Sequence, residues 1–381
     1  MRPRGITTRP KRAISSVEQS APLANWNWID MNLNNPKHSR LRTPFILAAL
    51  CAILICTGIF SLTLGRYHVP AGNVLHILLA ELLPGAGPGN HPWQESERVV
   101  IWLVRLPRIL VVVLAGMGLS LSGATLQGVF RNPLVGPHIV GVSSGASFGG
   151  VLAMLLSLPA AGVVGLAFAF GILALALVFG LSRLAGRGSV LSLVLAGVCV
   201  SAFFGALVGL TQFLADPEAK LPGMVYWLMG SFAGADWGKV PIIAIPTLGA
   251  GALLLLLRWR INLLSLGDTD VAALGVKVGA LRGAVLLLIS LLTAAQVSVS
   301  GGVGWVGLVI PHFARMLVGP DHRSLLPASA LLGGIYLLLI DTLARNLTAL
   351  EIPIGLLTAL VGTPVFALVF WKLQARGWGH E

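Results

Sequence analysis

Uncharged stretches long enough to cross a bilayer constrain this chain more than any other feature. Residues 44–64, 109–130, 188–215, 240–257 and 352–371 carry no charged side chain. Each approaches or exceeds the ~20 residues that a spanning helix needs. Two longer uncharged runs each hold two spans: 132–182, breaking near Pro159, and 283–314, breaking near Gly301 and Gly302. Residues 324–340 supply the tenth span, which ends at Asp341. Backbone polar groups in lipid must pair within their own segment, so each span is expected to be a helix. Only 10% of the residues are charged and 56% are hydrophobic, against about 25% charged in a soluble domain. The expected fold is all-α: a polytopic membrane protein of about ten transmembrane helices in a five-plus-five arrangement.

Charge placement orients such a bundle. With the N-terminus inside and ten spans, nineteen of the 26 Lys and Arg fall on the inner side and seven outside. The acids divide evenly, six inside and seven outside, with Asp341 in a span. Cations biased inward with acids indifferent is the positive-inside pattern. It sets both termini on the cytoplasmic side and accounts for the net charge of +12 without nucleic acid. Five spans either side of a central inner loop run in opposite directions, which permits an inverted repeat. Residues 1–43 are a basic, polar tail with no apolar core for a signal peptide. Disorder suits that composition, and contact with anionic membrane lipid is its other reading. The permease domain is expected over 44–372, followed by a cytoplasmic tail at 373–381.

The three cysteines, Cys51, Cys56 and Cys199, all fall in apolar spans without a CxxC or Cys/His cluster, so packing is expected rather than a metal site or disulfide. No metal or cofactor is implied. The nearest approach to a phosphate loop is residues 233–240, but Ala233 stands where the first glycine should be and Val240 where the Mg²⁺-binding hydroxyl should be. The chain is therefore expected not to be an enzyme and not to hydrolyse ATP.

Three segments carry distinctive residue types. Residues 105–150 read RLPRILVVVLAGMGLSLSGATLQGVFRNPLVGPHIVGVSSGASFGG. Small residues allow close helix approach in lipid, and Asn132-Pro133 ends a helix at a defined depth. Residues 301–323 read GGVGWVGLVIPHFARMLVGPDHR, and residues 351–370 read EIPIGLLTALVGTPVFALVF. In this order the three resemble the permease family of ABC importers for ferric siderophores, haem and vitamin B12, over roughly residues 44–372. The 1–43 tail is longer than that resemblance calls for.

The inner loop 262–282 reads NLLSLGDTDVAALGVKVGALR. A helix start at Gly267, Asp268, Asp270, Ala272 and Ala273, then a break at Gly275, suits two short helices joined by a tight turn. An ordinary polar loop is the plain alternative. The resemblance implies that this segment docks into an ATP-binding subunit, present in two copies. Arg105 and Arg108 lie on the outer side against the charge bias, with Arg345 in the last outer loop. Snorkelling to headgroups is one role for them. Guanidinium forks for carboxylates of a docking protein are the other, and the resemblance implies a periplasmic or extracellular substrate-binding protein. It also implies a cytoplasmic gate at residues 188–192, where Ser189 could equally be only a helix N-cap. Pore-lining candidates at helical spacing are Leu191, Leu195, Cys199 and Phe203, facing a homodimer mate or a related permease subunit.

His312 and Arg315 share one face of the eighth span, where a helix-end packing role outweighs a proton or metal role. Asp341 is expected to pair locally with Arg345, four residues on. An ion-coupling carboxylate would instead belong to a secondary transporter, which normally needs several intramembrane acids. A membrane-embedded enzyme lacks a nucleophile–base pair. The expected function is the pathway-forming permease of an ABC importer for a ferric siderophore. Haem, cobalamin and oxyanions are the alternative cargoes.

Overall fold

The computed structural model describes residues 36–83, 93–186 and 190–377, all helical or connecting. The chain runs α1 (Pro36–Thr63), α2 (Ala71–Leu82), α3 (Glu95–Arg98), α4 (Leu106–Phe130), α5 (Val142–Leu155), α6 (Ala160–Gly186) and α7 (Val190–Phe213). It continues with α8 (Leu221–Leu228), α9 (Lys239–Leu264), α10 (Asp268–Ala273), α11 (Val278–Ser300), α12 (Val306–Val318), α13 (His322–Asn346) and α14 (Ile354–Gly377). Seven described helices are long and apolar enough to cross a membrane. Adding α5, α12 and α14 gives the ten expected spans. Inner and outer below follow the charge bias.

The two long uncharged runs break as their sequence requires, between α5 and α6 at Pro159 and between α11 and α12 at Gly301. The third span of each half is short, 14 residues in α5 and 13 in α12. At about 1.5 Å per residue neither crosses the hydrocarbon alone. Each is preceded by backbone outside the α-helices, 131–141 before α5, with a 3₁₀ turn at Pro137–Val140, and 301–305 before α12. Such backbone is tolerated at membrane depth only when protein covers it. Here the two breaks cover each other, since a Cβ on Gly307 would lie 2.7 Å from Pro137 Cδ and one on Gly304 would lie 3.9 Å from His138 Nε2.

Helix α4 is the axle. It is buried on nearly every side and packs against α9, α11, α12 and α13. Glycines set how closely its neighbours approach. A Cβ on Gly123 would fall 1.8 Å from the Gly307 carbonyl oxygen of α12, and one on Gly116 would fall 2.2 Å from the Gly333 oxygen of α13. Backbone-to-backbone contact of this kind suits association in lipid, where no hydrophobic gain separates helix from solvent. Trp305 opens α12 in the left-handed region, at φ 66°, and its ring covers Gly362 of α14, where a Cβ would be 2.8 Å from the Trp305 Cβ.

Two expectations change. The sixth span does not stop at Leu257. Helix α9 runs to Leu264 and carries Arg258, Arg260 and Asn262 in its last turns, because the two long arginine side chains reach the aqueous edge without ending the helix. The cysteines are not packed within the chain: Cys51, Cys56 and Cys199 are free and exposed on the bundle exterior.

Candidate functional site

The inner end of the bundle carries the segment 262–282. It is mostly helix: the last turn of α9, the six residues of α10 and the first turn of α11, with only 265–267 and 274–277 irregular. Gly267, at φ 125°, turns the chain out of α9, and Gly275, at φ 77°, turns it out of α10. Side-chain-free residues suit both positions. Asp268 and Asp270 lie in the first turn of α10, where acids favour the positive helix end. Asp268 also receives Arg282 Nη2 at 2.6 Å, tying α10 to α11. Val271 is buried, while Ala272, Ala273, Leu274 and Gly275 are exposed. The result is a small-residue knuckle, held from behind and open in front. The expected second short helix is absent as a separate element and merges with α11.

At the outer end the three arginines do not face outward. Arg105, Arg108 and Arg345 are all buried, and each guanidinium is used inside the chain. Arg105 lies in a π-helical turn, Val99–Arg105, leading into α4. It donates to the Leu62 carbonyl at 2.6 Å and the Tyr67 carbonyl at 2.5 Å, so it caps the carboxyl end of α1, where carbonyls lack helical partners. Arg108 forks onto two acids: Nη2 and Nε reach Asp341 at 2.8 and 3.1 Å, and Nη1 and Nη2 reach Glu351 at 3.0 and 2.9 Å. Arg345 lies 3.1 Å from Asp341 and donates to Ser61 Oγ at 2.7 Å. The local Asp341–Arg345 pair is present, but it belongs to a larger knot joining α1, α4, α13 and the lead into α14. The reason is desolvation: charges this deep in a bundle must be paired, and buried Asp341 and partly exposed Glu351 lay within reach. Glu351 was missed. No local spacing pointed to it, because Glu351 meets Arg108 across 243 positions.

On α7, Leu191, Leu195, Cys199 and Phe203 all lie on the face turned away from the bundle, and Leu191 is 67% exposed. Buried Leu193, Ala196, Gly197, Val200 and Phe204 form the opposite face. Ser189 and the rest of 187–189 lie outside the described residues.

In α12, His312 is buried, and Arg315 donates to Gln127 Oε1 of α4, whose Nε2 donates to the Leu308 carbonyl at 3.2 Å. Among the described residues no group of three His, Cys, Asp or Glu could hold a metal. The phosphate-loop-like stretch forms the turn before α9, with Asp236 Oδ1 accepting from the Lys239 amide at 2.9 Å.

A family model described as the FecCD transport family matches residues 53–372. The molybdate import system permease protein of Haemophilus influenzae is 47% identical over 334 residues, covering 88% of this chain and 97% of that protein. An iron chelatin transport system permease protein of Helicobacter pylori is 39% identical over 328 residues, covering 82% and 99%. A solved structure described as an inward-facing conformation of a metal-chelate type ABC transporter superposes with a TM-score of 0.78 at 46% identity, covering 86% of this chain and 99% of that one. Ten spans, two paired breaks and a small-residue knuckle at one end thus accompany an almost full-length match, and the chain belongs to the FecCD transport family of ABC importer permeases.

Proposed function

We propose that this chain forms the translocation pathway for a metal-containing solute, with a molybdate-type oxyanion as the first cargo. The observation that carries the cargo is the 47% identity, over nearly the full length of both proteins, with a molybdate permease. The expected ferric chelate is the second reading, favoured by the 39% identity with an iron chelatin permease. Haem and cobalamin stand beside it, with 43% identity to a hemin permease of Yersinia pestis over 286 residues and 40% to a cobalamin permease of Halobacterium salinarum over 346. A permease of an ABC importer acts with an ATPase and a substrate-binding protein. In the reading proposed here, two copies of the chain enclose the path, with the exposed α7 stripe as the gate-side face. Each copy receives an ATP-binding subunit on α10, and a binding protein docks on the outer end.

The cargo test is accumulation in proteoliposomes holding the permease, its ATPase and its binding protein. Labelled molybdate should accumulate only with ATP inside the nucleotide-accessible face, and a ferric chelate should not compete. Uptake of the chelate with no uptake of molybdate would reverse the order of the two readings.

The α10 reading has its own measurement. Ala273 is exposed, so Ala273→Arg adds bulk without filling the core. The permease should insert and fold normally, while co-purification of the ATPase falls by about tenfold, equivalent to ~1.4 kcal/mol. Unchanged association and uptake would remove α10 as the contact.

Docking of a binding protein on Arg105, Arg108 and Arg345 now carries a condition. An incoming carboxylate would have to exchange with Glu351, whose side chain is 28% exposed while that of Asp341 is 0%. Glu351→Gln should therefore raise binding-protein affinity, because Arg108 keeps Asp341 and gains an unclaimed fork. A fall in affinity, measured by surface immobilisation at low salt, would take the arginines out of the docking surface.

A further inference from the structure

We infer that Asn262 is a positioning residue that yokes the coupling segment to the α12–α13 hairpin. This rests on the reading of α10 as the ATPase contact. Asn262 lies in the last turn of α9, five residues before α10 starts to turn away at Gly267. Its side chain is half-buried and turned to the start of α13. Asn262 Nδ2 donates to Asp321 Oδ1 at 2.6 Å. Asn262 Oδ1 accepts from the His322 amide at 2.9 Å and lies 2.7 Å from His322 Nδ1.

The amide orientation is settled by its neighbours. A backbone N–H can only donate and a carboxylate can only accept, so oxygen must face His322 and nitrogen must face Asp321. His322 Nδ1 then has to carry the proton. No other uncharged side chain of this size offers a donor and an acceptor on one rigid plane in those two directions. A leucine fills the same volume and makes neither bond.

The joint is gripped from both sides. Asp321 is the N-cap of α13, its Oδ1 accepting from the Arg323 amide at 2.9 Å, so Asn262 holds the capping residue itself. The His322 ring is buried and lies against α4, where a Cβ on Gly128 would be 2.3 Å from Nε2. One turn back on α9, the Arg323 guanidinium stands 4.1 Å over the Trp259 ring, and Arg258 donates to the Arg323 carbonyl at 3.3 Å. The last turns of α9 and the first turn of α13 therefore act as one piece. Only Gly319 and Pro320 separate α12 from Asp321, so the inner end of α12 follows. On its other side α10 is held to α11 by Asp268 and Arg282.

A push on α10 is thus delivered to α9 through the chain, to α11 through an ion pair, and to α12–α13 through Asn262. Packed elements with discrete arrangements transmit such displacements as rigid bodies. Helix α12 opens at the break that meets 137–138, so the yoke connects the ATPase side to the place where the two halves of the chain cross.

The test uses the assembled complex in proteoliposomes, reading cargo moved per ATP hydrolysed. Asn262→Asp removes the donor and sets two carboxylates against each other. It should leave the ATPase bound and hydrolysing while transport per ATP falls about fivefold or more, the lower end of a coupling effect. Asp321→Asn keeps the oxygen that accepts from both Asn262 and Arg323, so it should stay within about twofold of the parent. Both changes together relieve the repulsion and should recover part of the loss. Transport per ATP unchanged in Asn262→Asp would overturn the yoke.

A second measurement covers the case in which Asn262→Asp does not fold. In a background without Cys51, Cys56 and Cys199, cysteines at Trp259 and Arg323 are joined by a short thiol cross-linker. If the two ends move as one piece, the cross-linked permease transports as well as the unlinked one. If linking stops transport while the ATPase stays bound, the ends move apart in the cycle and the yoke is refuted. Ala273→Arg separates the two levels. Loss of ATPase association there with normal coupling in Asn262→Asp would discard the yoke and keep the α10 contact.

Discussion

Gly123→Ala should abolish accumulation of folded permease in the membrane, although it adds one methyl group. The added carbon would lie 1.8 Å from the Gly307 carbonyl oxygen and 2.5 Å from its carbonyl carbon, both backbone atoms of α12. No side-chain rotation can relieve that. The facing position is equally closed, since a Cβ on Gly307 would be 2.7 Å from the Leu119 oxygen. Overpacking a core ordinarily costs about 1–3 kcal/mol. Here two helices must separate along a shared crossing, and the hydrogen bond from Gln127 to the Leu308 carbonyl lies one turn away. The loss should therefore exceed that range. Gly118→Ala is the control, because its nearest foreign atom, Thr247 Oγ1, would be 3.5 Å away, an ordinary contact. Detergent-extracted monodisperse protein should fall to background for Gly123→Ala and stay near parent for Gly118→Ala. Equal yields would refute the crossing.

Arg108→Leu should be the most damaging change at the outer end, and the damage should show in the permease by itself. Asp341 is fully buried, and without Arg108 its only cation is Arg345 at 3.1 Å. Glu351 would lose the two bonds that hold the 347–353 connection against α4. Breaking a buried pair by removing one partner costs about 3–5 kcal/mol, because the survivor is left charged without water. A marked drop in thermal stability is expected with no binding protein present. Neutralising Asp341 in the same chain should return part of it, the non-additivity expected of groups in contact. Glu351→Gln should cost less, since Glu351 is partly exposed and Arg108 keeps Asp341. A stable Arg108→Leu protein with weak docking would restore the outward-facing reading. Charge reversal of Arg105 and Arg108 cannot by itself diagnose docking, because both arginines also hold the mouth of the bundle together.

The outer cluster and the inner yoke were hidden in the sequence for the same reason. Arg108 meets Asp341 across 233 positions and Glu351 across 243, and Asn262 meets His322 across 60. Local spacing exposed only the i,i+4 part of the cluster, Asp341 with Arg345. Chain order placed the three arginines at span boundaries and stopped there. Whether a boundary guanidinium points out or in depends on which acids the folded neighbours bring within reach.

The number of spans, the two breaks at Pro159 and Gly301 and the glycine turn at Gly275 in the inner segment were all determined by the sequence alone. Each depends on backbone chemistry within one short window: no charge over a bilayer length, glycine where φ turns positive, and proline where the helix must stop. Tertiary structure decided the rest. It carried α9 through Arg258 and Asn262, brought the two irregular segments together mid-molecule, and consumed three arginines in internal pairs. Those outcomes arise from close approach of distant helices through glycines. In that packing a buried charge or amide has to find its partner inside the protein, and the partner is set by the fold rather than by proximity along the chain.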